Sequence, residues 1–229
     1  MIGFWPANTN DRDEIEIYTD ESRSEIRTRV PTLRQQKRKS ETPYYLSLCD
    51  YIAPVDSGVP DYICAMADTA GVGLEEIVAE HKANDDDYSE ILAKVLADRL
   101  AEAFAERLHE RIRKEFWGYA PDEALSLNEL LNIRYRGIRP APGYPPCPDH
   151  TEKRIMWELL EPDQEIGLTL TESCMMMPPA AVSAFCYGHP GSKYFSVGKV
   201  AKDQVTDYAE RKGIDMREAE RWLQSVLAY

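Results

Sequence analysis

Residues 86–117 read DDYSEILAKVLADRLAEAFAERLHERIRKEFW and contain neither proline nor glycine, the two residues that most often end a helix. At about 1.5 Å per residue, this stretch predicts a helix about 45 Å long, enough to cross a whole domain. Five apolar residues recur in it every four positions, a spacing that predicts a stripe buried in the core. They are Leu92, Leu96, Leu100, Phe104 and Leu108.

A second face of the predicted helix is interrupted by polar side chains. Positions 91, 95, 98, 102, 105, 109, 112 and 116 share this face, and Asp98, Glu102 and His109 lie between its apolar ends. Two acids four residues apart repel each other, and burying either one without a partner costs much more. We therefore expect either an acidic wall that faces a cationic ligand, or acids that are solvated or paired with a base such as Arg99.

The segments on both sides of this helix predict a mixed fold. Alternating polar and apolar residues predict strands at 14–18 and 25–30, and β-prone runs predict strands at 44–52, 61–67, 180–187 and 193–200. Helices are expected near 126–133, from 149 onward, at 202–212 and at 215–227, where Asp215 is the expected N-cap. Because these elements do not alternate as βαβ units, the pattern predicts an α+β domain.

Composition limits the classes of partner. The 229 residues carry a net charge of −13, which argues against nucleic acid and anionic membranes as general partners. The N-terminus lacks the pattern of a signal peptide, and prolines and glycines interrupt the longest uncharged run, residues 173–192. Five irregularly spaced cysteines predict reduced thiols. We expect a cytoplasmic protein with no nucleic-acid or membrane partner.

One segment departs from the acidic average. Residues 21–39 carry seven bases against two acids, so the segment has a local charge of +5. The bases are Arg23, Arg27, Arg29, Arg34, Lys37, Arg38 and Lys39. Two interpretations stay open, a docking patch for an acidic partner and a solvated hairpin end.

Motifs for metal binding or catalysis are incomplete. Gly71-Val72-Gly73 lacks the third glycine of a dinucleotide-binding turn, and acids follow it in the first helical turn. His109 has no second histidine at zinc-helix spacing, and Cys147 with His150 has no second pair of ligands. We therefore predict neither a metal site nor a catalytic residue.

The most distinctive stretch is residues 137–145, GIRPAPGYP. Prolines make this backbone stiff and leave carbonyl groups unpaired, while Gly143 lets another group approach closely. Arg139 offers a planar fork of donors to a carboxylate, and Tyr144 offers a flat wall to an adenine-like base. The alternative is a linker or a proline segment that binds a partner protein.

Two adjacent aromatic residues, Tyr194 and Phe195, form a second candidate. On a strand they would point to opposite faces, so that one packs in the core while the other meets a ligand. The alternative is that both pack in the core.

These stretches resemble the C-terminal activation domain of cobalamin-dependent methionine synthase. The resemblance extends over nearly the whole chain, through blocks that occur in the same order as in the family. The blocks are WPAN (5–8), EIEIY (14–18), LRQQ (33–36), ADRLAEA (97–103), RPAPGYP (139–145), PDHTEK (148–153), LTES (170–173), SKY (192–194), DQV (203–205) and DYA (207–209).

The resemblance implies a fold and a role in methionine biosynthesis. It implies a C-shaped α+β domain over residues 1–229, with an antiparallel sheet, one long central helix and peripheral helices. Such a domain binds S-adenosylmethionine and meets the cobalamin-binding domain of the methyltransferase when the cofactor has become cob(II)alamin. An electron from flavodoxin, or a related flavoprotein reductase, and a methyl group from S-adenosylmethionine then restore methylcobalamin. The family domain begins upstream of Trp5, so we expect this chain to lack a segment that includes one ligand-binding acid.

The resemblance also assigns residues to the ligand. Arg139 takes the methionine carboxylate, while the loop with Ala141, Gly143 and Tyr144 holds the adenosine part. The remaining family positions fall on Tyr194, Phe195, Glu102 near the sulfonium, and Asp98. Phe195 stands where a tyrosine is familiar, so the hydrogen bond of that hydroxyl is missing. The nucleophile is the reduced cobalt on another domain, so the resemblance implies no catalytic residue here.

Two other functional hypotheses stay open. In the first, the chain is a docking module that contacts the cobalamin domain and flavodoxin without binding a small molecule. Alternatively, it is a hydrolase that uses Asp98 and Glu102 and turns over without cobalamin.

Overall fold

The computed structural model describes residues 1–36 and 44–229. Within them the chain forms two compact units. The first consists of Met1–Gly3, Ala65–Tyr135 and Met156–Ala184, and the second of Phe4–Cys64, Arg136–Ile155 and Phe185–Tyr229.

The described residues form the strands β1 (Ile2–Thr9), β2 (Glu14–Tyr18), β3 (Ile26–Pro31), β4 (Asp61–Thr69), β5 (Thr169–Leu170), β6 (Met176–Met177) and β7 (Ala181–Cys186). Five of them form a sheet with the order β3-β2-β1-β4-β7. β2 pairs antiparallel with β1 and β3, so that Ile17 lies opposite Ala7 and Ile15 opposite Val30. These four side chains are buried, which explains the alternation in the sequence of β2. The predicted strands at 14–18, 25–30, 61–67 and 180–187 are confirmed to within two residues.

Two predicted strands are wrong. Within residues 44–52 the chain forms a 3₁₀ turn, Leu48–Tyr51, because the Asp50 carboxylate accepts the Ser47 backbone N–H at 2.8 Å and closes a capping box. Residues 193–199 have no regular secondary structure. Gly198 has a φ of 79° there, which interrupts an extended strand.

The α-helices confirm the predicted mixed fold. They are α1 (Leu74–Ala83), α2 (Asp87–Arg111), α3 (Leu127–Leu131), α4 (Glu152–Leu160), α5 (Pro162–Glu165), α6 (Lys202–Lys212) and α7 (Met216–Trp222). Asp86 caps α2 by accepting the Ser89 backbone N–H at 2.9 Å, and Asp215 caps α7 by accepting that of Glu218 at 2.8 Å. A π-helical turn, Ile112–Phe116, follows α2 directly.

The predicted core stripe of α2 is wrong. Leu92, Leu96, Leu100 and Phe104 are exposed, with 53% of Leu96 and 62% of Leu100 accessible, and only Leu108 of that set is buried. The buried positions of α2 are instead Ala97, Ala101, Ala105, Leu108 and His109. The alanines repeat with the same four-residue spacing as the leucines. Small alanine side chains allow neighbouring elements to approach the helix closely, and periodicity alone does not reveal which stripe is buried.

A buried charged cluster lies at the C-terminal end of α2 and the π-helical turn that follows it, in the first unit. The buried Arg113 guanidinium donates to both carboxylate oxygens of Glu123, at 2.6 to 3.1 Å, and lies 4.2 Å from the Tyr135 ring centroid. Arg113 is also 2.9 Å from Nδ1 of His109. Because a guanidinium only donates, Nδ1 accepts and the His109 ring is neutral. His109 is therefore a core side chain.

Among the described residues, no helix has both the length and the apolar character needed to cross a membrane.

Candidate functional site

The proline loop, residues 137–147, lies in the second unit and begins at a short bridge. Ile138 and Tyr187 exchange two backbone hydrogen bonds, with N···O distances of 3.0 and 2.9 Å. Tyr187 directly follows β7, so the loop starts from the end of a sheet strand.

Two tight turns shape the middle of the proline loop. The Tyr144 N–H donates to the Ala141 carbonyl at 3.2 Å. Gly143 and Cys147 close the next turn, in which the Gly143 N–H donates to the Cys147 carbonyl at 2.7 Å and the Cys147 N–H to the Tyr144 carbonyl at 2.9 Å. Since prolines have no N–H, these few donors hold the backbone of the loop.

A second segment, residues 193–197, lies against the proline loop, and we call it the aromatic segment. The Arg139 backbone N–H donates to the Tyr194 hydroxyl at 3.0 Å. The Val197 N–H donates to the Pro145 carbonyl, also at 3.0 Å. The structure thus brings together the proline loop and the aromatic pair, which are about 50 residues apart in the sequence.

Tyr51 supports the aromatic segment from the 3₁₀ turn. Its hydroxyl donates to the Lys193 carbonyl at 3.2 Å, and its ring meets Phe195 and Tyr187 edge to face and stacks on His189. Burial, together with the nearby Asp50 carboxylate, raises the pKa of Tyr51 to about 12. The hydroxyl therefore keeps its proton and its hydrogen bond at neutral pH.

Gln35 holds the same segment from another side. Its side-chain NH₂ donates to the Ser196 carbonyl at 2.9 Å, and its side-chain oxygen accepts the Leu46 backbone N–H at 3.0 Å. Gln35 is buried, and its side-chain amide links the aromatic segment to the backbone at Leu46 through satisfied hydrogen bonds.

Three of the side chains that the family resemblance assigns to the ligand, Tyr144, Tyr194 and Arg139, are at least partly accessible to solvent. Tyr144 is 60% exposed, Tyr194 is 37% exposed and Arg139 is partly exposed. Phe195 is only 7% exposed and packs on Tyr51. Of the two alternatives left open for the pair, the structure thus agrees with the one in which a single ring is buried, although the backbone is not a strand.

Gly143 is in close contact with His150 of the same chain. Its φ is 99°, a conformation that side chains rarely adopt, and a Cβ added there would lie 2.1 Å from Cε1 of His150. The Lys153 ammonium lies 2.9 Å from Nδ1 of His150. Burial and the Lys153 charge lower the pKa of His150, although Asp149 opposes the effect.

A buried charged network follows the proline loop in the sequence. The Tyr208 hydroxyl lies 2.8 Å from a carboxylate oxygen of both Asp149 and Glu152. Lys212 donates to Asp149 at 2.8 Å and also bonds Glu152. Burial alone would raise the pKa of Asp149, but Lys212 and Thr151 hold it below its ordinary value.

Two other groups of this network, Glu152 and Lys212, have raised pKa values. Burial raises the pKa of Glu152 despite the attraction of Lys212. Burial disfavours the Lys212 ammonium, yet Glu152 and Asp149 raise its pKa above the ordinary value. Burial, with these two carboxylates nearby, also raises the pKa of the Cys147 thiol, so this cysteine is not a thiolate nucleophile at neutral pH.

The two acids assigned to the ligand from α2 lie in the first unit. Asp98 and Glu102 are exposed, and among the described residues neither forms a salt bridge with Arg99 or with another base. Solvation, rather than pairing, is therefore their state in this structure. Their membership of one site with the proline loop stays a prediction.

Two arginines of the basic segment pair with acids of the same chain where the structure describes it. Arg23 donates to Asn8 and to the Asp61 carbonyl, Arg29 pairs with Glu16, and Arg34 pairs with Asp13 and Asp50. Lys37, Arg38 and Lys39 lie outside the described residues. The described arginines thus offer less positive charge to a partner than the sequence count suggests.

A groove of about 730 Å³ in the second unit includes Arg34, Asp13 and Cys49 in its lining. Burial raises the pKa of Cys49 to about 11, with a contribution from the Asp13 and Asp50 carboxylates. The thiol is therefore protonated at neutral pH, so Cys49 is not a thiolate nucleophile.

Sequence reasoning gave no role to several supporting residues. Tyr51 lies in a segment that was predicted to be a strand, and its contacts come from residues far along the chain. Gln35 and His150 lie within the LRQQ and PDHTEK blocks, which were the only signal that pointed to them. The pairing of Lys212 with Asp149 joins residues 63 positions apart, which no local pattern indicates.

Comparisons with known proteins agree with this geometry. The family model described as "Vitamin B12 dependent methionine synthase, activation domain" matches residues 1–213. A solved structure, the MetH reactivation domain bound to AdoHcy, is 51% identical in sequence and superposes with a TM-score of 0.95. The match covers 100% of this chain and 70% of that chain. With its strands, its long helix and its joined proline and aromatic loops, this chain belongs to the family of activation domains of vitamin B12-dependent methionine synthases.

Proposed function

We propose that this chain binds S-adenosylmethionine at the proline loop and aromatic segment and supports the reductive remethylation of cob(II)alamin. The observation that carries the proposal is the hydrogen bond from the Arg139 N–H to the Tyr194 hydroxyl. It joins the two segments to which the family resemblance assigns the ligand. The related structure that holds AdoHcy, the demethylated product of S-adenosylmethionine, supports the same ligand class.

The carboxylate and the adenosine part of the ligand have chemically suited groups in the joined loops. The Arg139 guanidinium matches the methionine carboxylate, which it can bind through two parallel hydrogen bonds. The exposed Tyr144 ring offers a flat face to adenine, and the backbone around Ala141 and Gly143 offers polar groups to the adenosine part. The Tyr194 hydroxyl lies beside these groups, because it accepts the Arg139 backbone N–H.

Phe195 and the acids of α2 belong to the proposal in different ways. Phe195 is buried on Tyr51, so we assign its contribution to packing and to its backbone. Asp98 and Glu102 are exposed acids, and negative charge favours a ligand whose sulfonium and ammonium groups are both positive. The family resemblance is what supports their inclusion.

The proposed chemistry requires binding and orientation from this chain. The cobalamin of the cobalamin-binding domain, reduced by one electron from flavodoxin or a related flavoprotein reductase, would supply the nucleophile that accepts the sulfonium methyl group of the ligand bound here. The leaving group is a neutral thioether, so the step needs no proton from this chain. The residues of the site hold the methyl donor in a reactive orientation and keep water away from it.

We also propose that residues 1–229 act as one cytoplasmic domain without nucleic-acid or membrane partners. The net charge of −13 and the free cysteines support this assignment.

Calorimetric titration of S-adenosylmethionine tests the ligand and the role of Arg139 together. We expect Arg139→Ala to weaken binding about tenfold to a hundredfold, because a charge-assisted hydrogen bond to a carboxylate contributes about 1.5–3 kcal/mol. Arg217→Ala is the matched control, since Arg217 is an exposed arginine of α7 in the same unit.

Equal heats from the wild type and Arg139→Ala would contradict the assignment of Arg139. If the wild type binds no ligand at millimolar concentration but still associates with flavodoxin in a salt-sensitive way, the chain is a docking module instead.

A further inference from the structure

The imidazole of His150 occupies the space that a side chain at position 143 would need. A Cβ built on Gly143 would lie 2.1 Å from Cε1, 2.6 Å from Nδ1 and 2.7 Å from Nε2 of that ring. All three distances are far below van der Waals contact, so the ring rests directly on the backbone of the proline loop at its turn. The residue that follows this turn position is Tyr144, the exposed ring proposed to meet adenine.

Lys153 holds the ring in this orientation. Its ammonium is 2.9 Å from Nδ1, and its backbone N–H donates to the His150 carbonyl at 3.2 Å. An ammonium has only donors, so Nδ1 accepts and the ring carries its single proton on Nε2. Lys153 is 6% exposed, so this donor has little freedom to turn away.

The charges around His150 oppose protonation of the ring. Lys153 faces Nδ1 with a positive charge, while Asp149 is the nearby carboxylate that favours the charged ring. Although His150 is exposed overall, partial burial of its ring and the Lys153 charge together outweigh Asp149, so the pKa of His150 lies below its ordinary value of 6.5. If Nδ1 gained a proton, two donors and two positive charges would face each other, and the ring or the lysine would have to move.

We propose that His150 is a positioning residue for the adenosine part of the ligand: its neutral ring, held by Lys153, supports the turn at Gly143 and Tyr144, and protonation of the ring loosens that turn. The inference rests on the proposed function, because it concerns the same loop. It goes further by adding a residue that carries no ligand role from the family resemblance and by making affinity depend on pH.

Calorimetric titration of S-adenosylhomocysteine from about pH 7.5 down to about pH 5 tests the inference. This ligand has a neutral thioether, so its own charge is nearly constant over the range. We expect wild-type affinity to fall about tenfold as the pH drops through the pKa of His150. His150→Phe, which keeps a ring that cannot be protonated, should bind with an affinity that is nearly independent of pH.

Two further variants separate positioning from general effects. His150→Ala removes the ring, so we expect about tenfold weaker binding at about pH 7.5 and little further change at lower pH. His81→Phe is the matched control, because His81 lies on α1 in the other compact unit, and its pH profile should follow the wild type.

NMR of the ligand-free protein provides a readout that a merely structural role would not move. The Gly143 amide signal should shift with the same midpoint as the His150 ring, and this shift should be lost in His150→Phe. Titration of His150 without a change at Gly143 would overturn the inference, as would wild-type affinity and pH profile in both His150 variants. No binding by the wild type at about pH 7.5 would instead remove the proposed function, and this inference with it.

Discussion

The charge of Glu102 can be examined with two ligands that differ by one methyl group. S-adenosylmethionine carries a sulfonium, whereas S-adenosylhomocysteine carries a neutral thioether, and both carry the same ammonium and carboxylate. An acid that acts on the sulfonium must therefore distinguish the two ligands, while an acid that acts on the shared groups must not. Glu102 is exposed on α2, so solvent reduces its effect to a modest size.

We expect Glu102→Gln to weaken S-adenosylmethionine binding about fivefold and S-adenosylhomocysteine binding by less than about twofold, because an exposed charge pair contributes up to about 1 kcal/mol. Glu80→Gln, the loss of an exposed acid on α1, is the control for the change in net charge. Competition binding with both ligands measures the effect. An equal loss for the two ligands would show that Glu102 does not act on the sulfonium.

Single residues of the site differ in how far the sequence reveals them. The proline loop could be predicted to be stiff from its prolines alone, and this prediction pointed to Arg139, Gly143 and Tyr144. The group that approaches Gly143 could not be named, because His150 reaches it through the fold of the loop. The adjacency of Tyr194 and Phe195 left open whether one ring or both would be buried, and only the fold shows that Phe195 is buried while Tyr194 is exposed.

At the scale of elements, Lys212 connects α6 to the first turn of α4. It is the cation that faces two buried carboxylates, Asp149 and Glu152, and it also contacts the Tyr208 hydroxyl at 3.2 Å. Removing one partner from a buried ion pair leaves the other charge without compensation. The network therefore contributes to the stability of the unit that carries the proline loop.

We expect Lys212→Met to lower the free energy of unfolding by about 3–5 kcal/mol at neutral pH, because two buried acids lose their cation. Because the pKa of Lys212 is raised in the folded state, its contribution is complete below the ordinary value of about 10.5 and disappears as the pH rises through the raised value. The difference from the wild type should therefore shrink at strongly alkaline pH.

Urea denaturation at several pH values measures this difference. Lys202→Met is the control, since Lys202 is exposed at the start of α6. Equal urea midpoints for the wild type and Lys212→Met at neutral pH would show that the network does not stabilise the unit.

Helices and strands were predictable where the local sequence pattern favoured a single structure. Strand β2 and helix α2 have strong patterns without competing signals, and both form close to the predicted residues. Residues 44–52 contain β-prone residues and a Ser47–Asp50 capping pair, and the hydrogen bonds of the cap prevail. The buried stripe of α2 could not be chosen from period alone, because alanines and leucines repeat at the same spacing and only packing separates them.

At the scale of the whole molecule, the net charge counted from the sequence differs from the charge that the folded protein exposes to a partner. Arg29 and Arg34 contribute to the +5 of the basic segment, yet both are paired with acids of the same chain. A net charge of −13 thus describes long-range attraction and repulsion, while the fold decides which bases remain for a partner.

The proposed function places a methyl-donor ligand between the proline loop and the aromatic segment of this chain. A crystal structure of the chain grown with S-adenosylhomocysteine tests it most directly. We expect the ligand carboxylate within hydrogen-bond distance of the Arg139 guanidinium and the adenine ring against Tyr144. A ligand bound elsewhere on the chain, or bound without contact to Arg139 and Tyr144, would contradict it.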